Sequence, residues 1–371
     1  MSGKSKNPAR QRRQRPTRAP SRWARWRAKL SAAQKRINRT VEVLAALVVV
    51  LSALAGGATW IVQHRVGGRH DAEEATPTPV VQRAAIPVPS GAGPVLAAAG
   101  ALWVASPGSL QSQPGTLTRI DPTAQRPVSY IQVGAGPGVL AFGDGSVWVA
   151  NIDGHSVSRI DPTANRVTAS IPLNLEPSDL AITQNAIWVA GRQFADRHPA
   201  RVARLDPTTN RVTEVIPVGV GSPDEFEDAT AITSGFGSVW VSVSDRGLVR
   251  IDPQTNHVTA TIPDGTGDEL LAAAGSLWSA GGGDIARIDP TTNVVTARES
   301  IEGTISDLVT DGTWLWAALT YGAVARVALH TGRVLRLYAT PDPSTSRRMI
   351  AQPDGLWVTD DDTLRLLQPG P

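Results

Sequence analysis

Residues 146–172 read SVWVANIDGHSVSRIDPTANRVTASIP. Ser146 to Asn151 is a short apolar run around Trp148, long enough for one strand and bounded by turn-forming residues. Before it, Val139 to Phe142 makes another such run, and Gly143-Asp144-Gly145 between the two has the chemistry of a tight turn. After it, Val157 to Ile160 reads as a third strand. Asp161-Pro162-Thr163-Ala164-Asn165 follows, where proline presets φ and the Asp and Asn side chains bond local backbone. Arg166 to Ile171 is the fourth strand.

The same unit recurs on both sides of this stretch. Trp103, Trp148, Trp188, Trp240, Trp278, Trp316 and Trp357 lie at steps of 45, 40, 52, 38, 38 and 41 residues, each in a β-rich run. A second landmark follows the first five: Ile120-Asp121-Pro122, Ile160-Asp161-Pro162, Leu205-Asp206-Pro207, Ile251-Asp252-Pro253 and Ile288-Asp289-Pro290. In the sixth and seventh units it degrades to Val327-Ala328-Leu329 and Leu366-Leu367-Gln368-Pro369. Four-stranded units of about 40 residues, repeated seven times, point to an all-β fold, the seven-bladed β-propeller. Solenoid repeats are shorter, and a sandwich does not repeat its tryptophan seven times. The indoles are expected to pack between blades.

The seventh unit runs out after its third strand, Leu364 to Leu367. Ile86-Pro87 lies 17 residues before Trp103, the offset at which Ile171-Pro172 precedes Trp188 and Ile131 precedes Trp148. Val80 to Val88 is therefore an orphan fourth strand, expected to complete the last blade in a 3+1 closure that removes open sheet edges.

The quoted segment resembles the YVTN-type β-propeller repeat and is similar to the related virginiamycin B lyase-like propellers, over residues 80–371. The resemblance implies a scaffold used for binding, catalysis and assembly alike. In its lyase subgroup it implies a magnesium-dependent enzyme with histidine and glutamate on one face. The four propeller histidines, His155, His198, His257 and His330, do not reproduce such a pair, so no catalytic residue is carried over.

Upstream the character changes. Residues 1–40 hold 14 Lys or Arg, all four lysines among them, and no acid; the remaining 22 basic residues face all 33 acidic ones. The acidic body argues against nucleic acid as a partner. Val43 to Val62 is an uncharged run of 20 residues, long enough for a bilayer core at about 1.5 Å per residue. The expected organisation is a basic cytoplasmic tail (1–40), a transmembrane helix (41–62), a linker (63–79) and the propeller (80–371). The cationic flank places the N-terminus inside, giving a single-pass plasma-membrane protein with an extracytoplasmic propeller. A cleaved signal peptide ending near Ala53-Leu54-Ala55 is the alternative. Trp23, Trp26, Leu30, Ala33 and Ile37 share one helical face among cations, which suits either an amphipathic helix on the inner leaflet or a tail that only sets topology.

With no cysteine, neither disulfides nor thiolate metal sites are available. Candidate function concentrates on the face carrying the variable loops. Arg192, Phe194, Arg197 and His198 in one loop, Asp224, Glu225, Phe226 and Glu227 in a second, and Arg347 and Arg348 in a third form a candidate partner-binding face. Asp179, Asp228, Glu269 and Asp307, with Arg348, are expected to ring the channel mouth, where carboxylates could hold Mg²⁺ or Ca²⁺ or could pair with Arg348. The favoured function is a binding or sensor-like module for a protein, peptide or envelope glycan; the alternative is a metal-dependent enzyme of the lyase or lactonase kind.

Overall fold

Each of the seven landmark tryptophans stands third in its strand: Ala101–Ser106, Ser146–Asn151, Ala186–Gln193, Ser238–Val243, Ser276–Gly281, Trp314–Leu319 and Gly355–Asp360. Each of these strands is the second of an antiparallel sheet, flanked by the first and third strands of its unit. The computed structural model describes residues 78–108, 110, 112–193, 200–219, 227–244, 246–265, 267–320, 322–340 and 348–370. The basic tail, the apolar run and most of the linker lie outside the described residues, and among the described residues no helix is long and apolar enough to cross a membrane.

Seven sheets form the blades of a closed ring, with cores shared between neighbours. Strand position within a blade explains composition. The second strand is covered on both faces by adjacent blades, so SVWVAN is buried throughout. The fourth strand lies on the outside, so RVTASIP alternates exposed and half-buried residues before Ile171 turns inward. The tryptophans are at most 5% exposed. Truncating such a side chain to alanine costs about 3–5 kcal/mol.

Closure follows the offset read from the sequence. Val81–Pro87 pairs antiparallel with Thr363–Gln368, completing blade 7 as 3+1, and Ile86 is 1% exposed in the blade 7–blade 1 core. Two residues placed at the end of the linker have a further role: Thr78–Pro79 pairs in parallel with Val334–Ala339, adding a fifth strand to blade 6. The entering chain thus touches two blades in succession.

The face carrying the Asp-Pro turns is uniform. Asp121, Asp161, Asp206, Asp252 and Asp289 each accept the N–H two residues on, as in the 2.8 Å bond from Thr163 N to Asp161 Oδ1. An arginine opposite the tryptophan stacks on the indole, at 5.0 Å from the ring centroid for Arg159 over Trp148. It then reaches the turn of the next blade. Arg119 Nη1 donates to Pro162 O and Asn165 Oδ1, both at 2.8 Å. Arg159 does the same to Pro207 O and Asn210 Oδ1, and Arg250 to Pro290 O and Asn293 Oδ1. This clasp sews neighbouring blades together on one face.

Candidate functional site at the channel mouth

On the opposite face the innermost strands begin. The residue nine before each tryptophan sits at the same level in every blade, bonded opposite the residue two after it: Asp179 with Ala190, Ala231 with Ser242, Glu269 with Ala280 and Asp307 with Ala318. The full ring is Pro94, Val139, Asp179, Ala231, Glu269, Asp307 and Arg348. In blades 2, 3, 4 and 6 a bulge immediately precedes this position, as between Pro177 and Asp179. Such a bulge bends the strand and re-aims the side chain that follows. Charge is confined to blades 3, 5, 6 and 7, while blades 1, 2 and 4 present Pro94, Val139 and Ala231.

The two aspartates use one device. Asp179 accepts the N–H of Leu180 on one oxygen (2.8 Å) and that of Ile232, in the next blade, on the other (2.7 Å). Asp307 likewise accepts Leu308 N at 2.9 Å and Met349 N at 2.6 Å. Each carboxylate therefore staples two inner strands. Glu269, one methylene longer, instead meets Arg348, with Nη1 2.5 Å from Oε1. The same Nη1 lies 3.9 Å from Asp307 Oδ1. One guanidinium thus lies within reach of two of the three carboxylates and acts on Asp179 at longer range.

Burial pushes Asp179 up to about 6, outweighing its two backbone hydrogen bonds and the attraction of Arg348. Burial also raises Glu269 and Asp307; Arg348 opposes the rise in both, while Asp307 and Asp179 add to it at Glu269. Burial disfavours the charged Arg348, but Glu269, Asp307 and Asp179 outweigh it and keep its pKa above the usual value.

Asp228 departs from the expected ring, because blade 4 places Ala231 at that position. Its carboxylate instead lies 3.6 Å from Arg192, which also pairs with Glu176 at 3.0 Å. Glu227, expected on the partner face, is 3% exposed and points inward against Gly219. Phe194, Arg197, His198, Asp224, Glu225, Phe226 and Arg347 lie outside the described residues. Among the described residues no three His, Asp or Glu side chains converge closely enough to hold a metal ion. The geometry explains this for the mouth: two carboxylates are committed to backbone N–H groups and the third to a guanidinium.

The clasp arginines are a feature the sequence reading passed over. Their signal is plain in the chain: Arg119, Arg159, Arg250 and Arg287 each stand two residues before the Asp of an Asp-Pro landmark, a place that Arg204 also holds while only stacking on Trp188.

Fold and site together define a seven-bladed β-propeller with one uniform, clasped face and one charged, asymmetric channel mouth. Among solved structures the chain is similar to BamB from Moraxella catarrhalis, with a TM-score of 0.53 at 15% identity, covering 78% of this chain and 100% of that one. In all, 1505 solved chains match, so the likeness is one of a widely used fold. No family model matches the chain, and no curated protein matches it.

Proposed function

We propose that the chain is a membrane-anchored, extracytoplasmic interaction module that presents its channel-mouth face to a protein, peptide or envelope glycan. The contrast between the two faces carries this reading. On one face the arginines and turns are spent on the inter-blade clasp. On the other, Arg192, Asp228 and Arg348 keep side chains 39%, 43% and 44% exposed. Charged groups of this kind select a partner by complementarity and speed its encounter. The N-terminal cationic tail and apolar run support the membrane anchor. The alternative, a cation-dependent lyase or lactonase, has less support, because the carboxylates at the mouth already serve backbone and guanidinium groups.

The test uses the full-length chain in its native membrane, with a photo-crosslinking side chain placed at Arg192, at Asp228, or at Thr123 on the clasped face. The reading expects adducts from the first two positions alone, lost at raised salt, which screens the exposed charges. Equal adducts from Thr123, or none from the channel-mouth face, would overturn it.

A further inference from the structure

Between blades 2 and 3, at the outer wall, a cleft of about 280 Å³ opens beside the last strand of blade 3, Arg211–Pro217. Its floor is apolar: Leu173, Leu175, Ala203, Val212 and Val215. Leu173, Leu175 and Ala203 belong to the core shared by these two blades, and Val212 and Val215 carry that surface outward into solvent, 36% and 44% exposed. Among the described residues the cleft is thus the uncovered end of a blade–blade core.

Two further observations say what would cover it. First, among the described residues Arg211–Pro217 is paired on one side only, and its first five residues are all exposed; in blades 1, 2 and 5 the outer strand alternates exposed and half-buried residues. Blade 6 shows that an outer edge of this ring accepts a fifth strand, since Thr78–Pro79 occupies it. An open edge beside an apolar cleft is the arrangement in which backbone hydrogen bonds supply affinity and a side-chain pocket supplies selectivity. Second, Arg201 stands on the cleft rim and makes no ion pair among the described residues, so the complementary partner is anionic.

We propose that this cleft docks the carboxyl-terminal end of an extended peptide whose last residue is apolar, the peptide adding to blade 3 as a fifth strand and its terminal carboxylate meeting Arg201. The inference rests on the reading of the chain as an interaction module and assigns it a second surface, on the outer wall beside the Arg192–Glu176 pair.

The experiment titrates the full-length chain in detergent against the fluorescein-labelled peptide Thr-Val-Thr-Val-Leu, as free acid and as amide, by fluorescence polarisation. Saturable binding of the free acid is expected. Amidation and Arg201→Gln should each weaken it about tenfold, the loss of one charge-assisted contact. Val215→Asp, at an exposed position where folding is retained and checked by melting, should abolish it. No binding of the free acid up to millimolar peptide overturns the proposal, as does equal binding of acid and amide, or binding unchanged in Val215→Asp. Binding that emerges only after residues 194–199 are replaced by a Gly-Ser linker overturns it as well, by making the chain's own segment the occupant. If cleft binding fails while crosslinks from Arg192 and Asp228 persist, the module reading stands and the cleft assignment alone falls.

Discussion

Arg159 Nε donates to Ser146 Oγ at 2.8 Å, from the third strand of blade 2 to the start of its second. Arg250 with Ser238 and Arg287 with Ser276 repeat the bond at 2.8 Å. Where the serine position, two before the tryptophan, holds Ala101, Ala186 or Trp314, the corresponding Nε of Arg119, Arg204 or Arg326 is buried without a partner. The pattern predicts that Ala186→Ser stabilises the propeller by about 1 kcal/mol, the net worth of one hydrogen bond. Denaturant unfolding measures it, and the gain should vanish in an Arg204→Met background. A gain that survives there would mean the hydroxyl acts on something other than the guanidinium.

Gln125 is the odd member of the turns. It holds φ at 50° where Asn165, Asn210, Asn256 and Asn293 hold 51° to 59°. Asparagine tolerates this region and glutamine does so at a cost. The reason for the exception lies in the neighbouring blade: Leu366 occupies the place of the clasp arginine opposite Trp357, so no guanidinium requires an amide at residue 125. Gln125→Asn should therefore relieve backbone strain without gaining a clasp, raising stability by at most about 1 kcal/mol. Thermal melting checks it. A larger gain would point to a contact the turn does not now make.

Ring closure gives a contrast within one strand. Ile86 is buried between blades 7 and 1, whereas Val81 in the same strand is 51% exposed. Ile86→Ala should cost about 3 kcal/mol and lower the single unfolding transition of the whole ring. Val81→Ala should cost under about 0.5 kcal/mol. If the two variants melted alike, the strand would not be part of the closed core.

The turn aspartates and the channel aspartate should respond to pH with opposite signs. Asp121, Asp161, Asp206, Asp252 and Asp289 are held below the usual carboxylate value by hydrogen bonds from turn N–H groups. Their stabilisation is present above about pH 4 and is lost on acidification. Asp179 is raised to about 6, so its contribution is complete below about pH 4 and is lost as pH climbs through 6. The stability difference between wild type and Asp179→Asn should accordingly narrow between pH 4 and pH 6 to 7. A difference that stayed flat across this window would show that Asp179 titrates as it does in the unfolded chain.

Blade number and closure were legible because they rest on periodicity. Large buried indoles recur in register, and Ile86 keeps the same offset of 17 residues from Trp103 as Ile171 from Trp188. The channel mouth was only partly legible. Asp179, Glu269, Asp307 and Arg348 share one spacing from their tryptophans, but the nearest acid in blade 4, Asp228, stands 12 residues before Trp240 and misses the ring. A three-residue offset in a bulged strand decides whether a carboxylate faces the channel or pairs with Arg192 on its rim. Glu227 shows the same limit, since an acidic loop composition does not reveal which member turns inward. The fifth strand at Thr78–Pro79 had no sequence signal, because two residues carry no period and one of them is proline.

Among the described residues Arg348 is the one guanidinium facing three carboxylates from blades 3, 5 and 6, and this imbalance sets how its loss depends on pH. As pH rises toward about 8, Glu269 begins to give up its proton beside the two aspartates, and removing the cation leaves the ionised carboxylates to repel one another in the mouth. At lower pH the raised affinities of Asp179, Glu269 and Asp307 for protons let protonation relieve the same repulsion. Arg348 is itself 44% exposed, which limits the effect to the scale of a partly solvated pair, about 1 kcal/mol. Arg348→Gln should therefore destabilise by about that amount at pH 8 and by clearly less at pH 5. Adding Glu269→Gln to Arg348→Gln should restore most of the loss at pH 8, since it removes the carboxylate that contacts the guanidinium most closely. Denaturant unfolding of the two single variants and the double variant at both pH values closes the cycle. Equal losses at pH 5 and pH 8, with no recovery in the double variant, would mean that Arg348 acts through packing of its stem and that the charges at the mouth are independently solvated.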